Sequence, residues 1–173
     1  MQRFICRAHL QRIAGILAVS AMLAACSNQL DRASSQLGPG GGAYGGGPVT
    51  PGTSRDFKVN VGNIVYFTTD SSELTREARA TLSGQSRWLQ RYPQFTITVE
   101  GHADERGTRE YNIALGARRA DSVKRFLAGR GISPARLRTI SYGKERPVAV
   151  CDNISCWSKN RRVVTLLNRR AGS

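Results

Sequence analysis

The sequence predicts an α+β domain, an α/β sandwich in which helices cover one face of a mixed four-stranded sheet. Three observations lead to this fold class: strand and helix patterns alternate along residues 57–168, the chain of 173 residues has the length of about one domain, and 40% of its residues are hydrophobic. The predicted order is strand, helix, strand, helix, strand, strand, with two cysteines in the last loop. This alternation favours one sheet with helices packed on it.

The first half of the domain contains two strands with a helix between them. The run 63–67 is β-branched and aromatic, which is typical of a buried strand. Leucine and alanine then recur at helical spacing, and with Thr75 as the cap they predict a helix over 75–91. In residues 95–100, Phe, Ile and Val alternate with polar residues, so this strand has one face in the core.

The second half adds a long helix and two strands. Thr108 caps the helix, whose apolar stripe runs to Gly129 or Gly131. Strands at 138–142 and 162–168 complete the predicted sheet.

The N-terminal residues have the pattern of a secretion signal, because three arginines and no acid precede an uncharged, mostly apolar run that ends at Ala25. That run is too short to span a bilayer as a helix. Leu23-Ala24-Ala25-Cys26 resembles the lipobox of bacterial lipoproteins, which implies removal of residues 1–25 and N-acyl and S-diacylglycerol lipid on Cys26; a plain cleavage site beside a chance cysteine is the alternative. Ser27 stands where aspartate would signal retention in the inner membrane, so the resemblance points to the outer membrane.

Residues 26–56 are predicted to be a flexible linker that joins the lipid to the folded domain at 57–173. Eight glycines and three prolines lie in this stretch, so no core can form there. A glycine-rich tether of this length has a relaxed span of roughly 30 Å. A phosphate-binding loop is excluded because no strand and helix flank a suitable glycine motif.

Two cysteines remain for the mature domain, Cys151 and Cys156. In an oxidising periplasm they are expected to close a small disulfide loop. A metal site is the alternative, but two cysteines without two more nearby ligands make a poor zinc site.

The chain is strongly basic, with 26 Lys and Arg against 12 Asp and Glu and a formal net charge of +14. Nucleic-acid binding is disfavoured because the basic residues are scattered over both helices and the final strand, and because a lipid-anchored periplasmic protein meets little nucleic acid. The charge is expected to steer the domain toward anionic wall polymer or lipid headgroups.

The richest polar stretch is the loop at 101–107, which lies between a strand and the N-terminus of a helix, where ligand sites are common. His102, Asp104 and Glu105 could bind a metal, but the mature chain offers no second histidine. They could also be the acid and base of a hydrolase, yet no Ser or Cys nucleophile has a recognisable setting. Among the functions considered for this stretch, the one that remains is a recognition site for a charged ligand, without catalysis, metal or cofactor.

Asn112, Leu115 and Arg119 lie on one stripe of the second helix, because seven residues return to nearly the same azimuth. An arginine beside a buried stripe must find an anion. Asp104 is a possible partner, and a ligand with both an amine and a carboxylate would satisfy both residues. A structural Asp104–Arg119 salt bridge is the alternative that this reasoning leaves open.

Four segments have distinctive motifs: V-E-G-H-A-D-E-R-G-T-R-E-Y-N at 99–112, N-x2-L-x3-R-A-x2-V-x3-L at 112–127, I-S-Y-G-K-E-R-P at 140–147 and S-K-N-R-R-V at 158–163. They closely resemble the peptidoglycan-associated lipoproteins of the Tol-Pal system, and more broadly the C-terminal domains of OmpA-like proteins. The resemblance covers 57–173. It implies a non-enzymatic tether in which the domain binds the peptide stem of peptidoglycan noncovalently and so holds the outer membrane to the cell wall.

The resemblance also assigns residues to the ligand. Asp104 is expected to take the ammonium at the free end of meso-diaminopimelate, and Arg119 the carboxylate of that end. The other positions assigned to the peptidoglycan side are Asn112, Leu115, Asp70, His102 and Arg161, the last with structural ion pairing as an alternative. A β-propeller partner, TolB, is expected to compete for the same face within a Tol-Pal system that serves envelope integrity and cell division.

The chain departs from the family pattern at a few places. Thr69 and Ser71 replace a usual aromatic residue and a common lysine, and Gly116 stands where many OmpA-like motifs have serine. The Cys151–Cys156 loop is a further departure, which is expected to be a local staple far from the binding chemistry.

Overall fold

A four-stranded sheet forms the centre of the residues that the structure, a computed structural model, describes, which are 49–169. The strands are β1 (Ile64–Tyr66), β2 (Phe95–His102), β3 (Leu137–Gly143) and β4 (Arg162–Arg169), in the spatial order β1-β4-β2-β3. Strand β4 is antiparallel to both of its neighbours, whereas β2 and β3 are parallel. The mixed four-stranded sheet and the fold class predicted from the sequence are confirmed.

Within the described residues, one α-helix follows each of the first three strands: α1 (Arg76–Arg91) follows β1, α2 (Arg109–Gly129) follows β2 and α3 (Ile154–Asn160) follows β3, and a short 3-10 turn (Pro134–Arg136) precedes β3. The hydroxyl of Thr75 accepts a hydrogen bond from the backbone N–H of Ala78 at 3.1 Å, and that of Thr108 accepts one from Tyr111 at 3.2 Å. Both threonines therefore cap their helices as predicted, because a side-chain oxygen satisfies an N–H group that has no partner within the helix.

The core lies between α1, α2 and one face of the sheet. Along β2, Phe95, Ile97 and Val99 are each at most 4% exposed, while the polar residues between them are half-buried. Leucines of α1 and α2 such as Leu82 and Leu127 are fully buried against this face. Burying a side chain of this size contributes about 1.5–3 kcal/mol, so this layer is what fixes the helices on the sheet.

Two glycines bring α2 close to the sheet near the end of β2. A Cβ on Gly101 would lie 1.9 Å from the carbonyl oxygen of Gly116, and a Cβ on Gly116 would lie 2.5 Å from Oγ of Ser141. The absence of a side chain at both positions thus permits the helix to pass directly over the sheet. This close approach brings the start of α2 beside the loop that follows β2.

The folded unit begins earlier than the predicted boundary at residue 57. A helical turn, Ser54–Asp56, continues into a π-helix, Phe57–Val61, and Asp56 is only 8% exposed. Its carboxylate accepts hydrogen bonds from the indole N–H of Trp88 at 2.8 Å and from the backbone N–H of Gly52 at 2.9 Å. These bonds hold the pKa of Asp56 below its usual value. The last residues that the sequence assigned to the linker are therefore part of the domain.

Two further differences concern the second half of the chain. Strand β2 runs through His102, into the segment predicted as a loop, and the loop between β3 and β4 contains α3, which the sequence did not predict. Helix α3 starts from Asn153, whose side-chain oxygen accepts from the backbone N–H of Ser155 at 3.0 Å. The predicted signal peptide, the predicted lipidation site Cys26 and residues 27–48 of the predicted linker lie outside the described residues. Within residues 49–169, none of the helices combines the length and apolar character that crossing a bilayer requires.

Candidate functional site

A pocket of about 250 Å³ lies where the loops after β1 and β2 meet the first turns of α2. Asp70 belongs to the first loop, and Asp104 and Arg106 belong to the second. The part of the wall that α2 supplies consists of Tyr111, Asn112 and Leu115. The pocket thus has two carboxylates and a guanidinium in a partly apolar wall.

Asp104 is the most completely paired carboxylate of the pocket. Its Oδ1 accepts from Nε of Arg106 at 3.2 Å, and its Oδ2 accepts from Nη2 of Arg106 at 2.8 Å and from Nη1 of Arg161 at 3.2 Å. Burial favours the neutral acid, but the hydrogen bonds from the two arginines outweigh it and hold the pKa of Asp104 below its usual value. Asp104 is therefore an ionised carboxylate at neutral pH.

Arg119 lies behind the pocket wall and has no exposed surface. Its Nε donates to the carbonyl oxygen of Ser71 at 2.7 Å, Nη1 to that of His102 at 2.9 Å, and Nη2 to that of Thr68 at 3.1 Å. Burial lowers the pKa of Arg119 to about 10, so the side chain keeps its charge at neutral pH. Arg119 joins the loop after β1 to the end of β2.

The structural Asp104–Arg119 salt bridge that the sequence left open is not among the ion pairs of residues 49–169. Asp104 pairs with Arg106 and Arg161 instead, and Arg119 bonds only main-chain oxygens among its described hydrogen bonds. At Ser71 the partner of Arg119 is the main-chain carbonyl group, which any residue at that position supplies.

Asp70 reaches the pocket from an unusual backbone conformation. It has a φ of 52°, in the left-handed region that Asp tolerates better than most residues. Its carboxylate accepts a hydrogen bond from the hydroxyl of Tyr111, which raises the pKa of that tyrosine. This contact ties the loop after β1 to α2 at the mouth of the pocket.

Asn112 and Leu115 complete the predicted stripe of α2. The side-chain amide of Asn112 donates to the carbonyl oxygen of Arg106 at 2.7 Å and to that of Thr108 at 3.0 Å, and so holds the polar loop against the helix. Leu115 is 5% exposed and supplies an apolar part of the wall. Both residues lie where the predicted helix geometry puts them.

Besides Arg119, two further predicted residues lie outside the pocket wall. Arg161 is 6% exposed and bridges Asp104 and the carbonyl oxygen of Phe67, so it supports the pocket from behind. The ring of His102 is outside the pocket wall, 2% exposed and stacked on Tyr142 at 5.6 Å between ring centroids. Burial lowers the pKa of His102 to about 4, so its ring is neutral at pH 7. A direct contact of either residue with ligand stays a prediction.

The segment around the two cysteines is adjacent to the site, which corrects the expectation that it lies far from the binding chemistry. A disulfide joins Cys151 and Cys156, with 5.6 Å between their Cα atoms, and α3 begins inside this loop. From α3, the ring of Trp157 lies 4.2 Å from the guanidinium of Arg106, and its indole N–H donates to the carboxylate of Glu105. No local pattern in the sequence connects Trp157 with the E-R pair that it contacts.

Within residues 49–169, no group of three or more His, Cys, Asp and Glu side chains lies close enough to hold a metal ion. The pocket itself combines paired opposite charges with an apolar wall, which is the chemistry of a charged recognition site.

Comparisons with known proteins identify the family and the fold. A sequence profile of the OmpA family matches residues 66–161. The peptidoglycan-associated lipoprotein of Agrobacterium fabrum (strain C58) is 54% identical over 165 residues, which cover 91% of each chain. That of Brucella melitensis biotype 1 is 56% identical over 158 residues, or 90% of this chain and 91% of the relative.

Solved structures of similar fold include two from other bacteria. The peptidoglycan-associated lipoprotein from Burkholderia pseudomallei is 39% identical with a TM-score of 0.60, over 61% of this chain and 90% of that one. The C-terminal domain of Helicobacter pylori MotB is 25% identical with a TM-score of 0.59, over 63% of this chain and 86% of that one.

Proposed function

Because the chain belongs to the OmpA family, we propose that it is a noncatalytic lipoprotein that binds peptidoglycan and tethers the outer membrane of a Gram-negative cell to its wall. The relatives are peptidoglycan-associated lipoproteins by name, which supports both the wall association and the lipid. The observation that carries the proposal is the pocket in which the ionised Asp104 lies beside exposed and buried guanidinium groups. Such a pocket complements a small ligand that has both charges.

The ligand that we propose is the free end of meso-diaminopimelate in the peptide stem. Its ammonium binds Asp104, with Asp70 as a second acceptor across the pocket. Arg119 contributes the positive charge behind the wall, which favours a carboxylate beside the ammonium, and it keeps the two loops facing one pocket. Leu115 and Asn112 shape the wall against which the stem lies.

The remaining features of the proposal come from the N-terminal sequence and from the family. Lipid on Cys26 inserts into the inner leaflet of the outer membrane, and several acyl chains together give a stable anchor. The glycine-rich linker lets the domain reach the wall. TolB and other Tol-Pal components are the proposed protein partners, and wall and TolB compete for one face.

Co-sedimentation of the purified protein with peptidoglycan sacculi tests this proposal. Asp104→Asn keeps the shape of the side chain but removes the charge that binds the ammonium, so we expect the bound fraction to fall about tenfold. Asp121→Asn is the matched control, because the side chain of Asp121 is 48% exposed on α2 and pairs only with Arg125 in its described contacts. Equal binding by Asp104→Asn and the wild type would contradict the assignment, and soluble wall fragments released over time would identify a hydrolase.

A further inference from the structure

Arg106 is the cation that a ligand in the pocket can reach. Among the described residues that form the pocket wall it is the only Arg or Lys, and 41% of its side chain is exposed. The two other guanidinium groups nearby are buried: Arg119 has no exposed surface and donates to three carbonyls, and Arg161 is 6% exposed. A carboxylate that enters the pocket therefore meets Arg106 first.

In the free protein Arg106 is paired with the group that the ligand needs. Its Nε and Nη2 hold both oxygens of Asp104, at 3.2 and 2.8 Å. A ligand ammonium can reach Asp104 fully only if this guanidinium gives up at least one of these bonds. The exposed position of Arg106 allows such a movement, whereas Arg161 stays fixed by the carbonyl oxygen of Phe67.

We propose that Arg106 is a specificity-determining residue that exchanges partners when the ligand binds. The ligand's ammonium replaces the guanidinium at Asp104, and the guanidinium pairs with the ligand's carboxylate. This inference rests on the proposed function and names the residue that distinguishes a free acid from an amide. With a zwitterion, every displaced charge finds an opposite charge, so one ion pair becomes two. With an amide, Arg106 loses Asp104 and gains no anion.

Trp157 is the positioning residue for this exchange. Its ring lies 4.2 Å from the guanidinium of Arg106, and its N–H bonds the carboxylate of Glu105 on the same loop. A guanidinium that stacks on an indole keeps its cation–π contact while its N–H groups change partners. The stacking therefore keeps Arg106 at the pocket when it leaves Asp104, instead of releasing it into solvent.

Calorimetric titration with two peptides tests the exchange. The probes are the stem tripeptide that ends in meso-diaminopimelate and the same tripeptide with the free-end carboxylate amidated. The wild type is expected to bind the acid about tenfold more tightly than the amide. In Arg106→Gln, binding of the acid should weaken about tenfold while binding of the amide is unchanged or stronger, so the preference disappears. Arg109→Gln is the matched control with the same loss of charge, because exposed Arg109 pairs with Glu145 outside the pocket wall, and it should keep the preference.

The outcomes separate this inference from the function on which it rests. If Arg106→Gln binds the acid well and keeps the preference, or weakens acid and amide equally, the exchange is wrong although the protein still binds the stem. If the wild type binds neither peptide, both the function and the exchange are wrong.

Trp157→Leu should lower the acid-to-amide preference about threefold, and Trp157→Phe, which keeps a ring for stacking, should restore most of it. A preference unchanged in Trp157→Leu would overturn the positioning role.

Discussion

Two parts of the pocket, which we call the floor and the rim, each contain an arginine, and the two arginines differ in burial and in the kind of group they bond. In the floor, Arg119 is fully buried and donates to the carbonyl oxygens of Thr68, Ser71 and His102. At the rim, Arg106 is partly exposed, pairs with Asp104 and stacks on Trp157. A main-chain carbonyl keeps its place as long as the loops stay folded, whereas a carboxylate can accept another cation in exchange. The floor is therefore fixed by the fold, and the rim can respond to a ligand.

This difference separates stability from recognition. A change in the floor leaves buried polar groups without partners and should unfold the site. A change in the rim exchanges one solvated contact for another and should alter binding more than stability. Substitutions in the floor and in the rim should therefore have different consequences.

Arg119→Ala is expected to have the largest effect. It removes the donors of three carbonyl groups, so the free energy of unfolding should fall by about 3–5 kcal/mol. The loops after β1 and β2 then no longer face one pocket, and peptidoglycan binding should be lost with them. Urea denaturation measures the first effect and co-sedimentation with sacculi the second.

Arg118→Ala is the control for that experiment. Arg118 precedes Arg119 on α2, is exposed, and contacts the ring of Tyr111 only at 5.9 Å. Its removal should change the free energy of unfolding by less than about 0.5 kcal/mol. If both variants were equally stable, the three carbonyl contacts would not be what holds the floor.

The floor should also lose stability in acid, because of His102. Burial lowers the pKa of its ring to about 4 in the folded protein, from an ordinary value of 6.5, so protonation favours the unfolded chain. The free energy of unfolding is therefore highest above pH 6.5, where the ring is neutral in both states. It falls by about 2–3 kcal/mol as the pH decreases toward 4. Urea denaturation at pH 7 and pH 4.5 measures this loss.

His102→Leu removes this titration and should reduce the difference between the two pH values. The rim should change little over the same range, because the pKa of Asp104 is held below its usual value and the carboxylate stays ionised. A wild type as stable at pH 4.5 as at pH 7 would show that the buried ring accepts a proton without cost.

The parts of the fold that the sequence predicted well are those set by local interactions. Thr75 and Thr108 cap the two long helices because a cap bond joins residues only three positions apart. The alternation along residues 95–100 predicted β2 because successive side chains point to opposite faces of a sheet. Asp56 was assigned to the linker since its partner, Trp88, lies 32 positions later in the chain. Helix α3 was missed because its residues carry no apolar periodicity of their own.

For the site, too, the sequence predicted local positions correctly but not the contacts between distant segments. Spacing on α2 correctly put Asn112, Leu115 and Arg119 on one stripe, but it could not show which atoms Arg119 bonds, since every residue has a carbonyl group. Arg106 and Trp157 become neighbours only when the last loop of the chain folds against the loop after β2. Contacts of this kind depend on the packing of distant segments and leave no pattern in the sequence.

Removal of the disulfide between Cys151 and Cys156 is the change in the rim from which we expect the smallest effect. Replacing both Cys151 and Cys156 with serine frees a short loop, so the free energy of unfolding should fall by only about 1–2 kcal/mol. Because α3 begins within that loop and carries Trp157, the stacking on Arg106 should loosen and binding of the stem tripeptide weaken about threefold. Thermal unfolding and calorimetric titration measure the two effects, and wild-type protein treated with a reductant should behave like the double variant. A loss of stability without any loss of affinity would mean that α3 holds Trp157 in place without the disulfide, and the rim would then be as firmly built as the floor.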